Sequence, residues 1–147
     1  FCSIFKKSLI INLFCYDYEM KKNKSKNNIK SLGPYSQTKI FNNCLFMSGQ
    51  IGINPKSGDL ISHKFDDQLN QILQNICMIL EEAGSSYSKI IKLTVYVTDL
   101  SKFDNLNSIF LKFNRQNKVE VPPARTTVQV SQLPKGATIE IDLIAEL

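Results

Sequence analysis

The segment Val121 to Leu147 reads VPPARTTVQVSQLPKGATIEIDLIAEL. From Ala124 to Val130 it alternates, with Arg125, Thr127 and Gln129 on one side and Thr126, Val128 and Val130 on the other. From Ala137 to Ala145 it alternates again, Ile139, Ile141, Leu143 and Ala145 against Glu140 and Asp142. A period of two is the signature of a strand with one buried face. Between the two runs, Leu133-Pro134-Lys135-Gly136 carries turn chemistry, because Pro sets φ and Gly accepts a positive one. These residues predict an antiparallel hairpin in which Arg125 faces Glu140 and Asp142 within cross-strand reach. A guanidinium held beside an acid suits a small carboxylate ligand and a water to be activated. A structural ion pair on a solvated face fits the same spacing, and the pattern alone leaves both readings open.

Working outward, the 147 residues suggest one domain with enough chain to bury a core without disulfides or metal. Cys2, Cys15, Cys44 and Cys77 show no CxxC spacing, and the last two fall in apolar patterns, which favours reduced core thiols over a framework. The single histidine, His63, lies in a polar stretch and is expected to be exposed, so no metal site is indicated. The net charge of +5 is carried by residues 1–30, with seven Lys against Asp17 and Glu19. Residues 31–147 hold eleven basic and eleven acidic side chains and balance. A neutral domain lacks the footprint that binding a phosphate backbone requires, which argues against nucleic acid as its main partner.

Residues 1–19 place an apolar run, Ser8 to Tyr16, behind Lys6-Lys7, too short to span a bilayer as a permanent helix. Residues 20–30, MKKNKSKNNIK, have no apolar period and are expected to be disordered. Three readings of this extension stand: a bipartite leader for secretion and organelle import, a chain whose start is Met20 with residues 1–19 an artefact, or an arm packed on the domain. The expected location is cytoplasmic, or an organelle such as a plastid or mitochondrion if the leader is genuine.

The globular pattern begins at Ser31. Thr38 to Phe41 and Cys44 to Ile51 read as strands joined by an Asn42-Asn43 turn, and Gly49 near the end of the second permits close approach by a ligand or another chain, or marks a bulge. Phe65 to Ala83 carries one helical stripe, Phe65, Leu69, Ile72, Leu73, Ile76, Ile79, Leu80 and Ala83, with Gly84 as its stop. Lys89 to Thr98 reads as a strand with Ile91, Leu93, Val95 and Val97 on one face. Ser101 is the expected cap of a second helix whose core side is Phe103, Leu106, Ile109, Phe110 and Phe113. The order β-β-α-β-α-β-β gives an α+β sheet with both helices on one face. Arg125, Thr127, Gln129, Glu140 and Asp142 are expected together on the other face, where self-association is one way to cover the apolar residues.

With these motifs in hand, residues 31–147 resemble the Rid (reactive intermediate deaminase) family, also called YjgF and earlier labelled an L-PSP endoribonuclease or translation inhibitor. The resemblance rests on GPYSQ (Gly33 to Gln37), SGQI (Ser48 to Ile51), EAGSS (Glu82 to Ser86), VYVTDL (Val95 to Leu100) and PARTTVQV…LPKGATIEI (Pro123 to Ile141). It implies a chorismate-mutase-like fold, a homotrimer with clefts between subunits, and cofactor-free hydrolysis of 2-imino or enamine acids to 2-keto acids and ammonia. The small carboxylate substrates, 2-iminopropanoate and 2-iminobutanoate, would come from an upstream pyridoxal-phosphate dehydratase, with no membrane partner. Carried over by motif, Arg125 anchors the substrate, Glu140 handles the water, and Tyr35 completes the catalytic set. Ser48, Gly49, Asn107 and Thr127 join Arg125 in binding, Thr127 standing where many relatives carry Cys and Thr126 where they carry Ser or another small residue. The alternatives to the deaminase are an endoribonuclease and translation inhibitor, or a non-catalytic metabolite-binding or chaperone-like trimer.

Overall fold

A computed structural model describes residues 33–147. The expected leader and linker, with Cys2 and Cys15, lie outside the described residues. The elements run β1 (Thr38–Phe41), β2 (Cys44–Ile51), α1 (Phe65–Glu82), β3 (Ile90–Val97), α2 (Phe103–Gln116), β4 (Ala124–Gln129) and β5 (Ile139–Glu146). This is the expected β-β-α-β-α-β-β order, as one five-stranded mixed sheet with spatial order β1-β2-β5-β3-β4. The first hairpin closes at Asn42-Asn43, both with positive φ (47° and 62°), as a tight two-residue connection demands.

The core lies between one face of this sheet and the two helices. Leu69, Ile72, Leu73, Ile76 and Leu80 of α1 and Leu106 and Phe110 of α2 pack on Leu45, Leu93, Val95, Ile139, Ile141 and Leu143. Each fully buried aliphatic side chain of this kind contributes about 1.5–3 kcal/mol. α1 ends in a Schellman arrangement: the Gly84 N–H donates to Glu81 (3.1 Å) and the Ser85 N–H to Leu80 (2.8 Å). Gly84 has φ 82°, which a residue with a Cβ adopts only at a cost. α1 also buries two polar side chains that its apolar stripe does not announce. Gln68 accepts from the Thr138 N–H (2.8 Å) and donates to the Ser62 carbonyl (2.9 Å), and Asn75 donates to the Ile53 carbonyl (2.8 Å). Satisfied in this way, they tie the loop before α1 and the start of β5 to the helix.

Four expectations need correction. The last two strands do not form a hairpin: β4 pairs in parallel with β3, and β3 pairs antiparallel with β5, so β3 lies between them. The central positions go to β3 and β5, whose inward residues are almost completely buried, while β4, mostly Arg, Thr and Gln, takes an edge where polar groups stay wet. On β3 the register shifts between Ile90 and Lys92, so Ile90 takes the inward position and Ile91 is 50 % exposed. Ser101 does not cap α2. Asp99 instead accepts from the Ser101 N–H (2.9 Å) and hydroxyl (2.8 Å), capping a short 3-10 turn, Leu100–Lys102, that leads into the helix. Phe103 is not a core residue but is 40 % exposed.

Among the described residues, no helix is long and apolar enough to cross a membrane. His63 is exposed. Cys44 and Cys77 are free and half-buried, and burial with the nearby Glu81 pushes the Cys77 thiol up to about 11.

Candidate functional site

The β3–β4 pairing decides where Arg125 points. Its Cα partner is Leu93, which also pairs with Leu143, and both leucines face the helices. Alternation therefore puts Arg125, Thr127 and Gln129 on the helix side and Thr126 and Val128 on the open side. Glu140 pairs with Tyr96, one residue out of phase with the buried Ile139 and Ile141, so Glu140 and Asp142 face the open side. The expected juxtaposition of Arg125 with these two acids is thus absent from the single chain. The cation and the carboxylates occupy opposite faces of the sheet, with β3 between their strands.

Around Arg125, α2 supplies a cradle. Phe103, Asn107 and Phe110 recur at helical spacing and so share one face of α2. The guanidinium carbon lies 5.6 Å from the Phe103 ring centre and 5.3 Å from that of Phe110. Nη2 of Arg125 donates to Oδ1 of Asn107 at 2.5 Å. Partial burial between the rings pulls the Arg125 pKa below its ordinary value, yet arginine stays charged at any physiological pH. Thr127, two residues along the same face, has a buried hydroxyl with no hydrogen-bond partner among the described residues. The result is a fixed cation with further donor capacity and an unspent hydroxyl beside it.

On the other face, β2 carries a bulge. Its register against β5 shifts between Met47 and Gln50, leaving Ser48 and Gly49 outside the regular ladder. Glu140 fills the space beside Gly49. A Cβ on Gly49 would sit 1.8 Å from Oε1 of Glu140, so only glycine leaves room for the carboxylate. Burial first, and then the neighbouring charge of Asp142, raise the Glu140 pKa above the ordinary glutamate value. Arg125, on the opposite face, does not offset this rise within one chain. Asp142 accepts from the Tyr96 hydroxyl at 2.9 Å, and that bond raises the tyrosine pKa.

The entry segment lies beside this bulge. The Ser48 hydroxyl donates to the Ser36 carbonyl (2.8 Å) and the Ser48 N–H to the Gln37 carbonyl (3.0 Å). Ser48 thus positions the segment carrying Tyr35. The Tyr35 ring is 50 % exposed and folds over Gly33, where an added Cβ would lie 3.0 Å from its edge. The residues singled out from the sequence therefore fall into two groups: Ser48, Gly49 and Glu140 beside the Tyr35 segment, and Asn107, Arg125 and Thr127 on the helix side. Phe110 lies in the core as expected and Phe103 does not, and both rings also flank the cation. Their spacing from Asn107 was visible, but the strand packed against them was not.

Among the described residues, no group of three or more His, Cys, Asp or Glu side chains could hold a metal ion.

Comparison with known proteins agrees with the fold. The sequence model of the family described as endoribonuclease L-PSP matches residues 25–147. A RutC family protein of Aquifex aeolicus is 47% identical over 114 residues, 78% of this chain and 89% of that protein. The human 2-iminobutanoate/2-iminopropanoate deaminase is 37% identical over 115 residues, 78% of this chain and 81% of the human one. Among solved structures, YyfA of Yersinia pestis, of the conserved Rid family, superposes with a TM-score of 0.78 at 41% identity, covering 84% of this chain and 96% of its own. The chain belongs to the Rid, or YjgF, family, whose sequence model is named for endoribonuclease L-PSP.

Proposed function

We propose that this protein hydrolyses reactive 2-imino and enamine acids, such as 2-iminopropanoate and 2-iminobutanoate, to 2-keto acids and ammonia, in clefts completed by a second copy of the chain. The observation that carries this reading is the separation of Arg125 and Glu140 on opposite faces of one sheet. Each lies in a prepared setting, Arg125 between two aromatic rings and Glu140 against Gly49, and neither has the other within its own chain. A cleft between copies, arranged as a closed ring of three, would bring the Arg125 face of one against the Glu140 face of the next.

The chemistry follows from the groups. Arg125 holds the substrate carboxylate through a bidentate, charge-assisted pair, with Asn107 fixing the guanidinium. Thr127 offers its hydroxyl and backbone to the same anion. Glu140, less acidic than an ordinary glutamate, takes a proton from water as the oxygen attacks the imine carbon. The substrate reacts as its protonated iminium, so attack gives the neutral carbinolamine with the water proton held on Glu140. Glu140 passes that proton to the nitrogen, then takes the carbinol O–H proton as the C–N bond breaks and the ketone forms, and this last proton leaves on ammonia as ammonium. Tyr35 closes the cleft over the substrate. Fixing water and substrate together removes much of the entropic barrier, and the imine is labile enough that no cofactor is required.

The test is release of ammonia and keto acid from both imines, generated in place by an amino-acid oxidase or a dehydratase. The reading expects release faster than the spontaneous rate and proportional to the protein added. Release at the spontaneous rate would reject it.

A further inference from the structure

We infer that Gln50 is a positioning residue for Glu140, acting by holding both peptide groups that flank the Gly49 Cα. The inference rests on the deaminase reading for its catalytic meaning, though its structural part stands alone.

Gln50 is only 7 % exposed and pairs with Ile141, so its side chain enters the helix-side core, an expensive place for a carboxamide without partners. Its partners are local. Nε2 donates to the Ser48 carbonyl at 2.8 Å and to the Gly49 carbonyl at 3.3 Å. Both acceptors are carbonyls, so the nitrogen end of the amide must face them. The bulge takes Ser48 and Gly49 out of the regular ladder with β5, and Gln50 supplies a donor to both of their carbonyls.

The consequence reaches the opposite face. The Ser48 carbonyl belongs to the peptide before Gly49 and the Gly49 carbonyl to the peptide after it. A glycine pinned at both flanking peptides loses the backbone freedom that would otherwise make this the softest point of the strand. The Gly49 Cα is the surface against which the Glu140 carboxylate rests. One buried amide therefore sets how deep the Glu140 slot is, and so how well the carboxylate is shielded from water.

The other groups facing Glu140 do not depend on Gln50. Asp142 lies on the same strand, and Tyr96 lies opposite on β3, bonded to Asp142. Lys92 and Lys39 are further along the open face on β3 and β1. No charged residue of β2 faces it.

The experiment compares wild type with Gln50→Leu, which keeps bulk and removes both donors. The Glu140 carboxyl is titrated by carbon-detected NMR, and kcat and KM are measured with 2-iminopropanoate. A loosened slot admits water, so the Glu140 midpoint should fall toward the ordinary range by about half a unit or more. Over the same pH range kcat should drop about tenfold with KM within about twofold, the pattern of a misplaced base. An unmoved Glu140 midpoint overturns the inference. If the wild type shows no imine turnover, the functional reading fails, and the titration still decides the role of Gln50. Should Gln50→Leu not fold, hydrogen exchange of the Gln50 side-chain amide in wild type replaces it. Exchange at least about tenfold slower than that of the exposed Gln132 supports the two bonds, and equal exchange overturns them.

Discussion

Arg125 and Glu140 belong to the same sheet, yet edge strand β4 offers its cation to the helix side while central strand β5 offers its carboxylate to the open side. Their surroundings differ as much as their direction. The cation is framed by rings and an amide from α2, a rigid element that leaves its outer side open. The carboxylate is framed by backbone, in a slot that exists because β2 bulges and Gly49 has no side chain. The first setting fixes the direction of a charge that never titrates. The second changes the proton affinity of a group that does. On the proposed reading, a binding half and a proton-handling half are thus kept apart in the monomer, and the comparison predicts that they fail differently when altered.

The largest effect belongs to the binding half. Arg125→Ala removes the substrate's counter-charge and should lower kcat/KM for 2-iminopropanoate by about 10³-fold, with the fold retained by circular dichroism. A folded variant with wild-type turnover would remove Arg125 from the site.

Next comes the proton-handling half. Glu140→Gln should lower kcat by about 10²-fold with little change in KM. In wild type, kcat/KM should fall as pH drops through a value above the ordinary glutamate range, and that limb should vanish in the variant. Stability carries the opposite sign. Burial raises the folded-state pKa, so folding favours the protonated form. That contribution is complete below the unfolded pKa and is lost as pH rises through the folded one. Glu140→Gln should therefore melt higher than wild type at neutral pH, the gap closing below about pH 4.

The smallest effect sharpens the picture of the cradle. Phe103→Ala removes one ring face from Arg125, a contact worth about 0.5–1 kcal/mol, and should raise KM about threefold with kcat unchanged. A fall in kcat instead would mean that Phe103 shapes the reacting end of the cleft.

What the chain discloses by pattern tracks how local each contact is. The Asn42-Asn43 turn, the α1 stripe and the Gly84 stop are set within a few residues, and each forms where expected. The last two strands show the limit. Alternation places the side chains of β4 and β5 on two sides but does not say which strand comes to lie between them. Once β3 does so, Arg125 changes face relative to Glu140. The bond between Arg125 and Asn107 joins residues eighteen apart on different elements, and no periodicity reports it. Alternation singled out Arg125, but only the motif resemblance pointed to Asn107. Gln50 shows the reverse: a polar residue in an apolar strand is plain to see, but its purpose appears only once the bulge is known.

The central claim is that one chain supplies the cation and another the carboxylate of each cleft, and mixing two inactive variants tests it directly. Arg125→Ala and Glu140→Gln proteins would be unfolded together, refolded at equal amounts and assayed for keto-acid release. If each cleft of a closed ring draws Arg125 from one copy and Glu140 from its neighbour, random assembly should restore about a quarter of the wild-type activity. Recovery no greater than the sum of the two variants assayed alone would mean that each chain uses its own pair, and would contradict the account.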